Sequence, residues 1–320
     1  MSEILNLKFD YVDKSAPIKQ TDKKQKTKKE KVIPEASWIK SNKISVNLNE
    51  VAFSNWNAGG ENSISAITKG TFSRKYEDRY LQWSNEMVLK YGLNLQEGQG
   101  IRKTDDGMSL NSTFGYRKDS LSYWFYSAKL TFNSQFSNGY NYPDKDNPIS
   151  RFMAPGYLFV GLGMEYSDTP EKLTVYISPG TFKATFVLDQ DLANNGSFGV
   201  TGARYDSSGN IIEEGKKYFG EFGILVSGTW KKKLYDNMAM NNSISFYTDY
   251  INSFGNIDID WEMSVDLTVN KFVKANIGTH IKYDDDVKFV SAEDENGNDA
   301  SYGARMQLKQ LLGVGLSYSF

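Results

Sequence analysis

The chain holds a single imidazole, His280, and no cysteine. A histidine beside a carboxylate can do general-base work, and Asp258, Asp260 and Glu262 alternate in step along a segment just upstream of it. Lys274 and Lys282 flank the histidine at even spacing. Opposed on neighbouring strands, such acids and lysines make a cross-strand ion-pair network, with catalysis the less economical reading. A second group, Asp294, Asn296, Asn298 and Asp299, offers hard oxygens suited to calcium. Its glycine is misplaced and its bidentate glutamate missing for an EF-hand, so it is only a weak metal candidate within a solvated acidic loop. Disulfides, thiol catalysis and Cys/His zinc sites are excluded by composition. No phosphate-binding loop, metal box or nucleophile elbow occurs, and no cofactor is implied.

These side chains need an element to hold them, and the alternation around them names it. In "NIDIDWEMSVDLTVN" (256–270), Ile257, Ile259, Trp261, Met263, Val265, Leu267 and Val269 alternate with six polar residues without exception. A strand points successive side chains to opposite faces, so one face is oily and the other acidic. The pattern recurs from Lys43 onward: near 44–48, 63–72, 81–91, 108–116, 124–132, 156–166, 171–178, 222–230, 238–250, 273–281 and 312–320. That makes about twelve strands of roughly ten residues, long enough to cross a bilayer with tilt. A mean hydropathy of −0.52 is compatible with this, because alternation keeps the average low.

Every second connection is short (73–78, 117–120, 167–170, 234–237, 270–271) and the others are mostly longer (54–60, 94–107, 137–155, 179–219, 251–256, 284–303). The predicted fold is all-β: a closed antiparallel transmembrane β-barrel with short periplasmic turns, long extracellular loops and both termini periplasmic. The alternative is a soluble sheet with its oily face inward. Tyr and Trp favour the membrane interface; Trp83, Trp124, Trp230, Tyr318 and Phe320 form one predicted girdle, and Trp261 belongs to the other. Glycines at 161, 163, 313 and 315 fall on the polar face, where a crowded lumen needs small residues. The lumenal charges are mixed (Lys69, Glu86, Lys90, Lys129, Glu165, Lys172, Lys231, Asp249), and Tyr123, Phe125, Tyr157, Phe159, Tyr176 and Tyr247 intrude, so the lumen reads as filled. A selective pore would show one sign of charge. Residues 1–40 carry a lysine-rich run (14–35) that reads as a disordered periplasmic segment rather than a nucleic-acid patch; 41–320 form the barrel. The start, MSEILNLKFDY, lacks the pattern of a secretory signal.

The carboxy-terminal "LLGVGLSYSF" looks like the signal by which outer-membrane barrels are recognised for assembly. With "SNWNAGGENS" (54–63), "IRKTDDGMSLNSTFGY" (101–116), "NGYNYPDKDNPISRFMAPGYLFVGLGMEY" (138–166), "TFVLDQDLANNGSFGV" (185–200) and "NIDIDWEMSVDLTVNKF" (256–272), the chain resembles a family of uncharacterised Bacteroidota barrels known only as a domain of unknown function. The resemblance implies the outer membrane and the fold, and no activity. The leading expectation is a non-enzymatic accessory or scaffold subunit of an outer-membrane complex such as barrel-assembly or secretion machinery. Its expected partners are lipid, lipopolysaccharide, other outer-membrane proteins or surface lipoproteins, and the barrel-assembly machinery. The second reading is a narrow channel for small solutes; the third is a hydrolase using His280. Outer-membrane phospholipases place their Ser–His pair on the lipid-facing wall, whereas His280 faces inward.

Overall fold

The structure, a computed structural model, describes residues 36–51, 62–168, 171–252, 254–290 and 302–319. Twelve strands make the wall: β1 (Ser37–Val51), β2 (Ser63–Glu77), β3 (Leu81–Gln96), β4 (Arg102–Tyr116), β5 (Trp124–Ser134), β6 (Gly156–Asp168), β7 (Leu173–Phe186), β8 (Tyr218–Tyr235), β9 (Met238–Asp249), β10 (Asp258–Thr268), β11 (Val273–Tyr283) and β12 (Gln307–Ser319). Each pairs antiparallel with its sequence neighbour, and β12 closes on β1. Closure removes every free sheet edge along the paired rows. Among the described residues, six register pairs join β1 to β12, against fifteen between β2 and β3.

Side-chain parity follows directly from register. Trp261 lies opposite Ile244 and Ile281, and Val265 opposite Met240 and Ile277, so apolar rows run continuously around one face. That face is the outside: Leu162 is 68% exposed and Leu312 71%. Ionic and amide side chains line the interior, with Asp260 opposite Lys282 and Glu262 opposite His280. An exposed belt of this kind is costly in water and favourable in hydrocarbon. The soluble-sheet alternative, with the oily face inward, is thereby overturned.

The strands are longer than the ten residues expected, from 11 residues in β5 to 18 in β8. The predicted 94–107 loop shrinks to 97–101, because Leu93 and Leu95 continue the outward row of β3 and Arg102–Asp106 pair with it through a bulge at Gly92/Leu93. The predicted 179–219 loop shrinks to 187–217. Pro179-Gly180 suggests a break, yet the chain passes through it as a bulge against both β6 and β8. A residue without an amide hydrogen is tolerated at such a position. The bulge resets parity, so that Ile177 and then Phe182 face outward while Tyr176, Thr181 and Lys183 face inward. Gly163 lies opposite it, where an added Cβ would sit 2.1 Å from the Ile177 carbonyl oxygen; no larger residue fits. β1 begins at Ser37, inside the span assigned to the N-terminal segment.

The loop between β7 and β8 carries the only α-helix among the described residues, α1 (Gln190–Asn194). Asp189 caps it, accepting from the Leu192 amide at 3.0 Å, and also pairs with Arg151 at 3.0 Å. Val187, Leu192, Ala193 and Val200 pack with Ala154 of the β5–β6 loop into a small apolar core, edged by Phe198 and Phe219. These two loops therefore fold on each other over the loop end of the barrel.

Candidate functional site

The interior divides into two unlike halves. Under β5–β9 it is packed. Phe125, Tyr176, Leu225 and Tyr247 are buried, Tyr176 to 1% exposure. Gln82 reaches from β3 to bond Glu165 of β6. Lys129 bonds the Ser227 hydroxyl at 3.2 Å and lies 5.2 Å from the Tyr176 ring centroid. Residues from strands that are not neighbours thus meet across the interior, which fills this side.

At the loop end of the packed half sits its most concentrated charge. Lys183 of β7 places its Nζ 3.0 Å from Glu221 of β8, 2.8 Å from Asp258 of β10 and 3.7 Å from Asp286. Carboxylate oxygens of Glu221, Asp258 and Asp286 lie within 4.8 Å of one another, as metal ligands would. The ammonium already stands among them, so the cluster reads as a buried ion network rather than a metal centre. Burial pushes the Asp286 carboxyl up even with Lys183 beside it. The network also ties down a loop: the Asp285 amide donates to Asp258 at 3.0 Å, and Asn256 donates to Asp285 at 2.7 Å.

The other half, under β10–β12 and β1–β3, is wetter. The predicted lumenal residues are distributed between the two. Asp258 joins Lys183 rather than a β11 lysine. Asp260 faces Lys282 in register yet hydrogen-bonds the His280 Nε2 at 2.9 Å. Lys282 instead lies 4.7 Å from the Tyr157 ring centroid. Glu262 stands opposite His280, and Lys274 opposite Thr268 and Gly315. The structure therefore joins Asp260 with His280, but among the described residues no ion-pair ladder runs between β10 and β11. His280 bonds no hydroxyl there, so no nucleophile stands beside it. The weak metal candidate Asp294, Asn296, Asn298 and Asp299 lies outside the described residues, as do Phe320 and the lysine-rich run.

Of the girdle residues, Trp83, Trp124 and Tyr318 are exposed on the outer wall. Trp230 is half-buried there, with Lys232 over its ring at 5.1 Å. Two indoles do more than anchor. Trp83 donates to the Ser112 hydroxyl at 3.0 Å, which donates to Asn85 at 2.8 Å. Trp261 donates to Asn242 at 2.8 Å. These polar side chains share the outward parity of their strands, and the tryptophans satisfy groups that hydrocarbon would leave bare.

Sequence reasoning missed that Lys183, Glu221 and Asp286 gather around Asp258. The signal was present: "TFKATF" (181–186) alternates like any other strand, but it fell inside the span 179–219 read as a loop.

Residues 48–140 match a family described as Protein of unknown function (DUF3078). No curated protein matches the chain. Among solved structures, the translocator domain of autotransporter NalP from Neisseria meningitidis is 10% identical with a TM-score of 0.35, covering 90% of each chain. An outer membrane channel from Pseudomonas putida F1 is 9% identical with a TM-score of 0.38, covering 92% of this chain and 98% of that one.

Proposed function

We propose that the chain is an integral outer-membrane barrel, its long loops extracellular and its turns and termini periplasmic, acting as a non-enzymatic scaffold or accessory subunit of a larger surface complex. One observation carries the reading. The β5–β6 and β7–β8 loops are built around their own apolar core and held as a platform, and the loop end presents exposed Phe152, Leu188, Ile212, Ile251 and Phe254. Large apolar side chains on ordered loops suit a protein partner. Pinning reinforces the platform: Asp106 of β4 accepts from the Phe136 and Ser137 amides, the Ser137 hydroxyl and the Lys103 ammonium, all at 2.9–3.0 Å. Such preorganisation lowers the ordering cost of association. The partner class is another outer-membrane protein or surface lipoprotein, with lipid and lipopolysaccharide around the wall and the barrel-assembly machinery as the insertion partner.

Photo-crosslinking residues placed at Phe152 and Phe254 in living cells test this. A discrete adduct with one outer-membrane partner is the expected result; uncrosslinked monomer at both positions would remove the scaffold role. A second reading, a narrow solute channel, is favoured by the wetter half of the lumen. Single-molecule conductance in a planar bilayer distinguishes the two, since a scaffold closed by its packed half is silent.

A further inference from the structure

The β3–β4 and β5–β6 loops meet around a cavity of about 330 Å³, at the small end of the range for small-molecule sites. Gly98, Gln99, Gly100, Arg102, Tyr142 and Lys145 line it. Tyr142 is fixed to the wall, since its hydroxyl accepts from the Lys103 backbone amide at 2.9 Å. Its ring gathers two cations: the Arg102 guanidinium carbon lies 5.4 Å from the centroid and the Lys145 Nζ 5.9 Å. The Lys145 Nζ also stands 2.9 Å from where a Cβ on Gly100 would be, so the ammonium uses the space that a glycine leaves. Gly98 turns the chain at φ +74°, a conformation that favours glycine, and nothing lies within 4 Å of where its side chain would stand. The cavity is therefore open at this lip.

No carboxylate lines the cavity, and neither Arg102 nor Lys145 forms a side-chain ion pair among the described residues. The acids adjacent along the chain are engaged elsewhere. Asp105 serves Lys90 at 3.6 Å and Lys309 at 2.8 Å, and Asp106 serves Lys103 at 2.9 Å. Glu97 accepts from the Asn62 side-chain amide at 2.7 Å. Asp144 accepts from the Asp146 backbone amide at 2.8 Å and the Asn147 side chain at 2.9 Å. A separate observation concerns Gln99, whose Oε1 is buried and has no hydrogen-bond donor. A buried acceptor left unmet is costly. The same cavity thus holds two cations without an anion and an acceptor without a donor.

We propose that this cavity binds a sugar acid, a saccharide unit carrying both a carboxylate and hydroxyl groups. The carboxylate suits the planar fork of Arg102, with Lys145 as a second point charge. A ring hydroxyl supplies the donor that Gln99 Oε1 lacks. A neutral sugar would leave both cations unanswered, and a bare inorganic anion would leave the amide oxygen unmet. Loop residues and the first residue of β4 build the site, so the ligand arrives through water and is soluble. The inference is independent of the scaffold reading, because the site is complete within one chain and needs neither a protein partner nor conduction.

Calorimetric titration of the detergent-folded full chain with trigalacturonate tests it, with maltotriose and inorganic phosphate as comparison ligands. The expected result is saturable trigalacturonate binding near one per chain that weakens with salt, and much weaker binding of the other two. Arg102→Gln is expected to weaken trigalacturonate binding about tenfold, the loss of a hydrogen bond between charged groups. Gln99→Leu, which keeps both cations, is expected to weaken it as well, and Lys118→Gln at the turn end to leave it unchanged. No saturable binding, equal binding of maltotriose or of inorganic phosphate, or equal weakening by Lys118→Gln overturns the proposal. Should Arg102→Gln not fold, Lys145→Gln decides, because its side chain is exposed on a loop. Weakened binding there upholds the site, and unchanged affinity overturns it.

Discussion

The two halves of the lumen solve the same problem in opposite ways. Both are walls of inward-facing polar residues generated by one alternating pattern. Under β5–β9 the buried charges find partners: Lys183 has three carboxylates, Glu165 has the Gln82 amide, and Lys129 has the Ser227 hydroxyl. Under β10–β12 and β1–β3, Lys43, Lys69 and Lys274 form no ion pair among the described residues. The contrast shows that alternation fixes which way a side chain points but leaves open whether it meets a partner.

The largest effect expected from this contrast is at Lys183. Lys183→Met leaves buried Glu221 and half-buried Asp258 and Asp286 without their cation, a loss of about 3 kcal/mol. Urea unfolding of the detergent-folded barrel measures it; a midpoint like the parent's would mean the cluster is hydrated and the two halves are alike. The companion variant in the wet half, Lys69→Met, removes the same charge and relieves the facing Lys90. Its expected effect lies within about 0.5 kcal/mol, and a loss comparable to that of Lys183→Met would erase the distinction.

Smaller effects sharpen the same comparison on the outer surfaces. Asp106→Ala releases three hydrogen bonds from the β5–β6 loop and one from Lys103 of its own strand. Proteolysis within residues 135–155 is expected to accelerate while the barrel stays intact, and unchanged cleavage would show that the apolar core alone holds the platform. Acid gives a graded version. The Asn210 amide holds Asp206 below the usual carboxylate range, and the Asn147 side-chain amide does the same for Asp144. A carboxyl low in the folded state and near about 3.9 when unfolded contributes fully above that ordinary value and loses its contribution as pH falls through the folded one. Amide exchange is expected to open these loops below about pH 4 before the wall responds. Least of all, Trp261→Phe strips the donor from Asn242 and costs about 1 kcal/mol; Asn242→Leu in that background is expected to recover it.

Much of this architecture was legible. Ile259 to Leu267 could face outward only one way once lipid was the partner, and Gly163 and Gly315 marked close approach. The platform and the Lys183 network were not legible, for a physical reason. Lys183, Glu221, Asp258 and Asp286 are drawn together by closure of the cylinder, and nothing local to any of them encodes the other three. Asp260 illustrates the same limit: register sets it against Lys282, but its rotamer takes His280 instead. The strand through 181–186 was read as loop, and a bulge at Pro179-Gly180 carries the same residue signature as a loop.

The joint between β1 and β12, six pairs among the described residues, has a mechanical consequence. A hoop under load parts where its fastening is slightest, and here that point lies between the first and last staves. Resistance to unravelling is then a rate governed by this fastening rather than by the sum of the eleven others. Stapling Val46 to Leu316, which face each other across it, would slow the rupture far more than the same staple anywhere else on the circumference.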